Sequence, residues 1–152
     1  MSYYEKSVLI NCQLEEAFGF HSDTNNLKRI TPDFIKVRII KIDLPLILHS
    51  EISLEITQFE FFRTKWKLEL TDFSPFSLIT DTQIKGPFKK WQHKHCFEPK
   101  DGGTMMTDKI NYELPFGSIG RAADKLYVSK MIDKQFEYRH KLTKNILEKS
   151  NL

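Results

Sequence analysis

The sequence is short of the residues that usually interrupt or replace a hydrophobic core. Its 152 residues include only two cysteines, six glycines and six prolines. Cys12 and Cys96 stand far apart and form no C-x-x-C pair. Two isolated cysteines read as free thiols in a reducing compartment, so a cytoplasmic protein is expected. No apolar run approaches the ~20 residues of a membrane-spanning helix, which argues against an integral membrane protein. The opening Met1–Lys6 enters a strand pattern at once and has no signal-peptide apolar region. Charge of one sign is also not concentrated. The net charge is +3, and Lys and Arg are scattered, with no block of five or six like charges. A nucleic-acid binder usually carries a basic stripe, so that role is not expected. No repeat, linker or low-complexity tract is visible.

What remains is an ordinary globular composition, 40% apolar and 28% charged. A chain of this length suits a single domain over residues 1–152 that buries a core without metal or disulfide staples. Phenylalanine is abundant, at 12 residues. That means either a bulky core or a cavity lined by rings.

Tyr4–Asn11 reads as a strand. Leu14, Ala17, Phe18 and His21 fall at helical spacing, with Glu15 and Glu16 suited to a first turn. Asn26–Ile30 reads as a second short helix closed by Pro32. Long strand patterns follow: Phe34–Ile42, Ser50–Phe62, Arg63–Phe73, Ser77–Lys85, Lys89–Phe97 and Thr104–Leu114. Gly86-Pro87 marks a turn and Asp101-Gly102-Gly103 a hairpin. Ser118 is the expected N-cap of a helix running to Lys149, about 45 Å long at 1.5 Å per residue. Its apolar stripe is Ala122, Leu126, Met131 or Ile132, Phe136, Leu142 and Ile146. The order is strand, two short helices, six strands and a long helix. It predicts the α+β class, with an antiparallel sheet of about seven strands curling around the C-terminal helix.

Three stretches resemble a known family. They are Asp81-x-Gln83-x-x-Gly86-Pro87-Phe88-x-x-Trp91-x-His93-x-His95-x-Phe97, then Gly103-Thr104-x-Met106-x-Asp108-x-Ile110-x-Tyr112-x-Leu114-Pro115-Phe116-Gly117, and Phe136-x-Tyr138-Arg139. They are similar to the signature of a bacterial group within the START-like (SRPBCC) superfamily. A role in inhibiting cell division is often attributed to that group, and some of its members are fused to epimerase-like domains; no such second domain is expected in these residues. Ile79, where an aromatic residue is usual, and Ser50, where a glycine is usual, depart from the pattern. The resemblance implies a helix-grip fold and a hydrophobic ligand of lipid, quinone or polyketide-like type. It also implies that Arg139 is partly buried.

Side chains alternate across a strand, so Trp91, His93, His95 and Phe97 share one face, and the two histidines are carried inward with the rings. If Phe97 pairs with Thr104, His95 faces Met106, His93 faces Asp108 and Trp91 faces Ile110. A tight turn at Gly86-Pro87-Phe88 sets Gln83 near Trp91 and Asp81 near His93. A slip of two residues would exchange partners and keep the faces. His93 then stands between Asp81 and Asp108. Four readings fit: a satisfied polar network, ligand recognition, acid–base catalysis, or metal binding. For the last, spacing fixes no third ligand, so neither a metal nor a cofactor is assigned.

The leading functional expectation is binding of a small hydrophobic or amphipathic molecule between sheet and helix. The candidate residues are Trp66, Asp81, Gln83, Trp91, His93, His95, Met106, Asp108, Tyr112, Phe136 and Arg139, with access near the short helices and the loops at Pro45 or Phe116. The alternatives are a cyclase- or hydratase-like enzyme using His93 with Asp81 or Asp108, and a module acting through an exposed apolar surface. The oligomeric state is not legible.

Overall fold

A computed structural model describes residues 1–149, so the last three residues of the expected 1–152 span lie outside it. The chain runs β1 (Ser2–Ile10), α1 (Leu14–Ser22), a 3₁₀ segment (Thr24–Ile30), β2 (Ile35–Ile42), β3 (Glu51–Gln58), β4 (Phe62–Ser74), β5 (Leu78–Lys85), β6 (Lys90–Lys100) and β7 (Gly103–Glu113). It then continues as α2 (Gly117–Ala123), a π-helical segment (Asp124–Val128) and α3 (Ser129–Lys149). This is the expected α+β order. All seven strands form one antiparallel sheet, β1-β7-β6-β5-β4-β3-β2.

Register irregularities between Ile39 and Lys41, Lys67 and Leu68, and Leu70 and Asp72 bend the sheet. The inner faces of its strands and the long helix enclose the buried residues. Ile10, Leu70, Met106, Ile110 and Phe136 are almost wholly buried. On α3 the buried positions are Ile132, Phe136, His140, Thr143 and Leu147, a spacing of three and four that lays one stripe against the sheet.

Two expectations are corrected. The β6–β7 loop is only two residues, Asp101-Gly102, both at positive φ, between the pair Lys100 and Gly103. The tighter turn slides the pairing by two residues: His95 faces Asp108, His93 faces Ile110, Trp91 faces Tyr112 and Phe97 faces Met106. The inward face is unchanged. The long helix runs without a gap to Lys149 as expected, but Asp124–Val128 within it are π-helical, and Ser118 does not cap it. Phe116, in the left-handed region at φ 69°, takes the N-cap position. Gly120 lies so close to the strand exit that a Cβ there would sit 2.0 Å from the Pro115 carbonyl oxygen. The π segment absorbs extra residues per turn, which leaves Leu126 in solvent rather than on the apolar stripe. Its carboxylate Asp124 accepts hydrogen bonds from Tyr112 Oη, at 2.7 Å, and from Ser2 Oγ.

Candidate functional site

The curved sheet does not close fully on the helix, and a cavity of about 660 Å³ remains between them. Ile52, Leu54 and Ile56 of β3 and Leu68 and Leu70 of β4 supply its apolar wall, because alternate residues on each strand point inward. Phe136 and Ile132 close it from the helix side. Trp66, Phe88 and Trp91 pack edge to face or tilted, with ring centroids 4.8–5.5 Å apart. At the mouth, Phe61, Phe62, Phe116 and Ile119 line the cavity while remaining largely exposed. Phe59 joins this rim, whereas Phe76 packs on Phe18 with about half its surface in solvent.

One end of the cavity is polar. Asp81 pairs with His93 across β5 and β6, as the short Gly86-Pro87-Phe88 turn predicts. Asp108, behind them on β7, is buried and gathers three histidines. His93 Nε2 lies 2.9 Å from Asp108 Oδ1 and His140 Nε2 lies 2.5 Å from Oδ2, both as hydrogen bonds. His95 Nδ1 is 2.6 Å from Oδ1 but off the line of a hydrogen bond. His140 Nδ1 is buried with no partner, so Nε2 must carry the proton given to Asp108. On the cavity side, Asp81 Oδ2 stands 3.4 Å from His93 Nδ1 and 3.9 Å from His95 Nε2.

The electrostatics follow from this packing. Burial disfavours the His93 cation, yet the hydrogen bonds and charges of Asp108 and Asp81 outweigh it and lift His93 to about 9. Burial and then the His93 charge push His95 down, so the pair holds one imidazolium. Burial alone would raise Asp108, but the surrounding histidines hold it well below the usual carboxylate range. Asp81 is likewise held low, against burial, mainly by His93. His21, whose ring centroid is 5.4 Å from that of His95, is pushed down to about 3 by burial and by His95. Arg139 lines the cavity with its guanidinium 5.0 Å from the Phe136 ring centroid, and among the described residues no carboxylate lies within ion-pair distance of it.

Of the predicted site residues, the structure brings Trp66, Asp81, Trp91, His93, His95, Phe136 and Arg139 to the cavity wall. Asp108 lies just behind that wall. Gln83, Met106 and Tyr112 stand outside the lining. Gln83 turns into the β5–β6 turn, where its Nε2 donates to the Phe88 carbonyl at 2.8 Å. Met106 fills the core beside Ile10 and Phe97, and Tyr112 is held by Asp124. Two participants escaped the sequence reading as site residues, His21 and His140. Each carried a signal: His21 shares the helical spacing of Ala17 and Phe18, and His140 follows Phe136 by four residues.

The profile of a family described as polyketide cyclase / dehydrase and lipid transport matches residues 10–136. A search of the curated proteins finds no match. Among solved structures, TTHA0849 from Thermus thermophilus is 15% identical and superposes with a TM-score of 0.79, covering 99% of this chain and 100% of the other. A START superfamily protein from Mycobacterium smegmatis is 14% identical, with a TM-score of 0.72 and 97% of each chain covered. The di-domain ARO/CYC protein StfQ of the steffimycin biosynthetic pathway is 12% identical, with a TM-score of 0.80 over 98% of this chain and 51% of its own. These likenesses establish the fold, and the profile match establishes that the chain belongs to the polyketide cyclase / dehydrase and lipid transport family.

Proposed function

We propose that residues 1–152 act as one unit that binds a small hydrophobic or amphipathic molecule in the cavity between sheet and helix. The observation that carries the reading is the cavity itself. Its volume of about 660 Å³ falls within the roughly 300–1,000 Å³ of small-molecule sites, and its apolar walls converge on one polar end. Lipid, quinone and polyketide-like compounds share that apolar-body, polar-end shape. The reducing setting of two free thiols, Cys12 and Cys96, supports a cytoplasmic location. No described helix is long and apolar enough to cross a membrane. Native mass spectrometry of freshly purified protein, followed by titration of stripped protein with a fluorescent fatty acid and a short-chain quinone, tests the proposal. One equivalent of bound compound is expected. Absence of any co-purified molecule together with no binding of either compound would overturn it.

A second reading is favoured by one feature. His93 keeps its proton to about pH 9 while facing the cavity between two carboxylates, a position from which it can act as a general acid on a bound carbonyl. The likeness to an ARO/CYC protein is in keeping with cyclase-like chemistry. On this reading His93→Gln abolishes turnover of a poly-β-keto substrate and spares the fold; loss of folding instead assigns the histidine to a structural network.

A further inference from the structure

Two cavity histidines face one buried carboxylate. His93 turns Nε2 and His95 turns Nδ1 toward the same oxygen of Asp108, at 2.9 and 2.6 Å. Their opposite nitrogens, His93 Nδ1 and His95 Nε2, are thereby left 3.4 and 3.9 Å from a single oxygen of Asp81. One donor atom from each of Asp81, His93 and His95 lies within 4.8 Å of the other two. Ligand atoms about 2.0–2.2 Å from an ion stand roughly 3–3.5 Å apart, so side-chain rotations of about 1 Å complete the triangle.

We propose that Asp81, His93 and His95 bind a divalent first-row transition ion, of the class of Zn²⁺ or Fe²⁺, at the polar end of the cavity. Two imidazoles and one carboxylate are the donor set such ions take with open coordination positions, whereas Mg²⁺ and Ca²⁺ prefer oxygen throughout. The support behind the ligands fits as well. Metal-bound histidines characteristically give their second nitrogen to a carboxylate; Asp108 bonds His93 Nε2 at 2.9 Å and lies 2.6 Å from His95 Nδ1, where a small ring rotation would complete the second bond. His140 anchors Asp108 in turn, through its second oxygen. The ion displaces the proton from His93 Nδ1, and Asp81 and Asp108 then together offset its two charges. The ligands sit on adjacent paired strands, β5 and β6, which fixes their spacing more firmly than loops would. Three protein ligands leave the cavity side of the ion open, where an oxygen of a bound molecule fits. The inference also accounts for two histidines on a strand face that is otherwise aromatic and apolar.

The test uses the full chain, stripped with a chelator and titrated with Zn²⁺ alone by calorimetry and with Co²⁺ by visible absorption. One equivalent is expected, with Co²⁺ giving the d–d bands of nitrogen coordination. Asp81→Asn and His95→Gln each weaken binding by about tenfold or more, and Asp108→Asn weakens it about 10–100-fold through the lost orientation of the histidines. His49→Gln, which alters an exposed histidine beside Glu69, leaves binding unchanged. Binding of less than one equivalent, or affinity unaltered in both ligand variants, overturns the inference. Circular dichroism accompanies each variant, and His95→Gln carries the test if Asp81→Asn does not fold. Because the titrations contain no hydrophobic compound, their failure leaves the ligand-binding proposal standing.

Discussion

Replacing Asp108 by asparagine tests whether the polar end of the cavity holds the fold together. The carboxylate is 2% exposed and accepts from His93 and His140 on its two oxygens, with His95 also at 2.6 Å. Asparagine keeps one acceptor and places an amide donor where the second oxygen stood. That donor meets an imidazole N–H, so one buried hydrogen bond is lost and the His93 cation keeps only Asp81. Removing one partner of a buried charged pair costs about 3–5 kcal/mol, a large share of the roughly 5–15 kcal/mol that stabilises a chain of this kind. With a urea m-value of about 2 kcal/mol/M, the midpoint should fall by about 2 M at unchanged slope. The control is Asp81→Asn, in the same chelator-containing buffer. Asp81 touches His93 at 3.4 Å and borders the cavity, so it should cost about 1–2 kcal/mol. A midpoint shift below about 0.5 M for Asp108→Asn, or an equal shift for Asp81→Asn, would refute the reasoning.

Three further outcomes are expected. The folded protein holds His21 near 3, below the ordinary value of about 6.5. Its contribution is therefore present above pH 6.5 and lost as pH falls, by up to about 1.4 kcal/mol per pH unit. His95 adds to the same slope, and His93 is protonated in both states there. Urea midpoints between about pH 6.5 and 4.5 should fall less steeply in His21→Phe; an identical slope would count against the assignment. Ile56→Trp places an indole in the cavity and should weaken a bound fluorescent fatty acid by about tenfold, read by fluorescence titration, with the melting temperature held or raised. Gly120→Ala drives a methyl group to 2.0 Å from a backbone oxygen that cannot swing away. It should cost about 1–3 kcal/mol in chemical denaturation.

The sequence carried the site's faces more securely than its partners. The period of two along β6 put Trp91, His93 and His95 inward whatever the register. Asp81 opposite His93 was legible because proline and glycine fix the centre of the β5–β6 turn. The β6–β7 pairing was not, because Glu98–Gly103 permits several loop lengths and only the left-handed conformations of Asp101 and Gly102 select the two-residue one. The π-helical stretch in the long helix escaped for a different reason. Nothing in Asp124–Val128 is a helix breaker, and the π segment is tied to Tyr112, Ser2 and Ser129, partners distant in sequence or hidden in periodicity. His140 marks the limit of reading strands alone, since it reaches Asp108 from the opposite layer.

Asp108 lies where sheet and helix meet, and it binds β7 to β6 through His93, which borders the ligand space, and to α3 through His140. The polar end of the cavity is thus also a keystone. Changes there are filtered first by folding and only then by binding. The rim formed by Phe61, Phe62, Phe116 and Ile119 carries no such double duty, because those side chains are largely in solvent. Retuning this protein for a different molecule is accordingly easier from the entrance inward, by altering what is admitted while the anchoring chemistry stays in place.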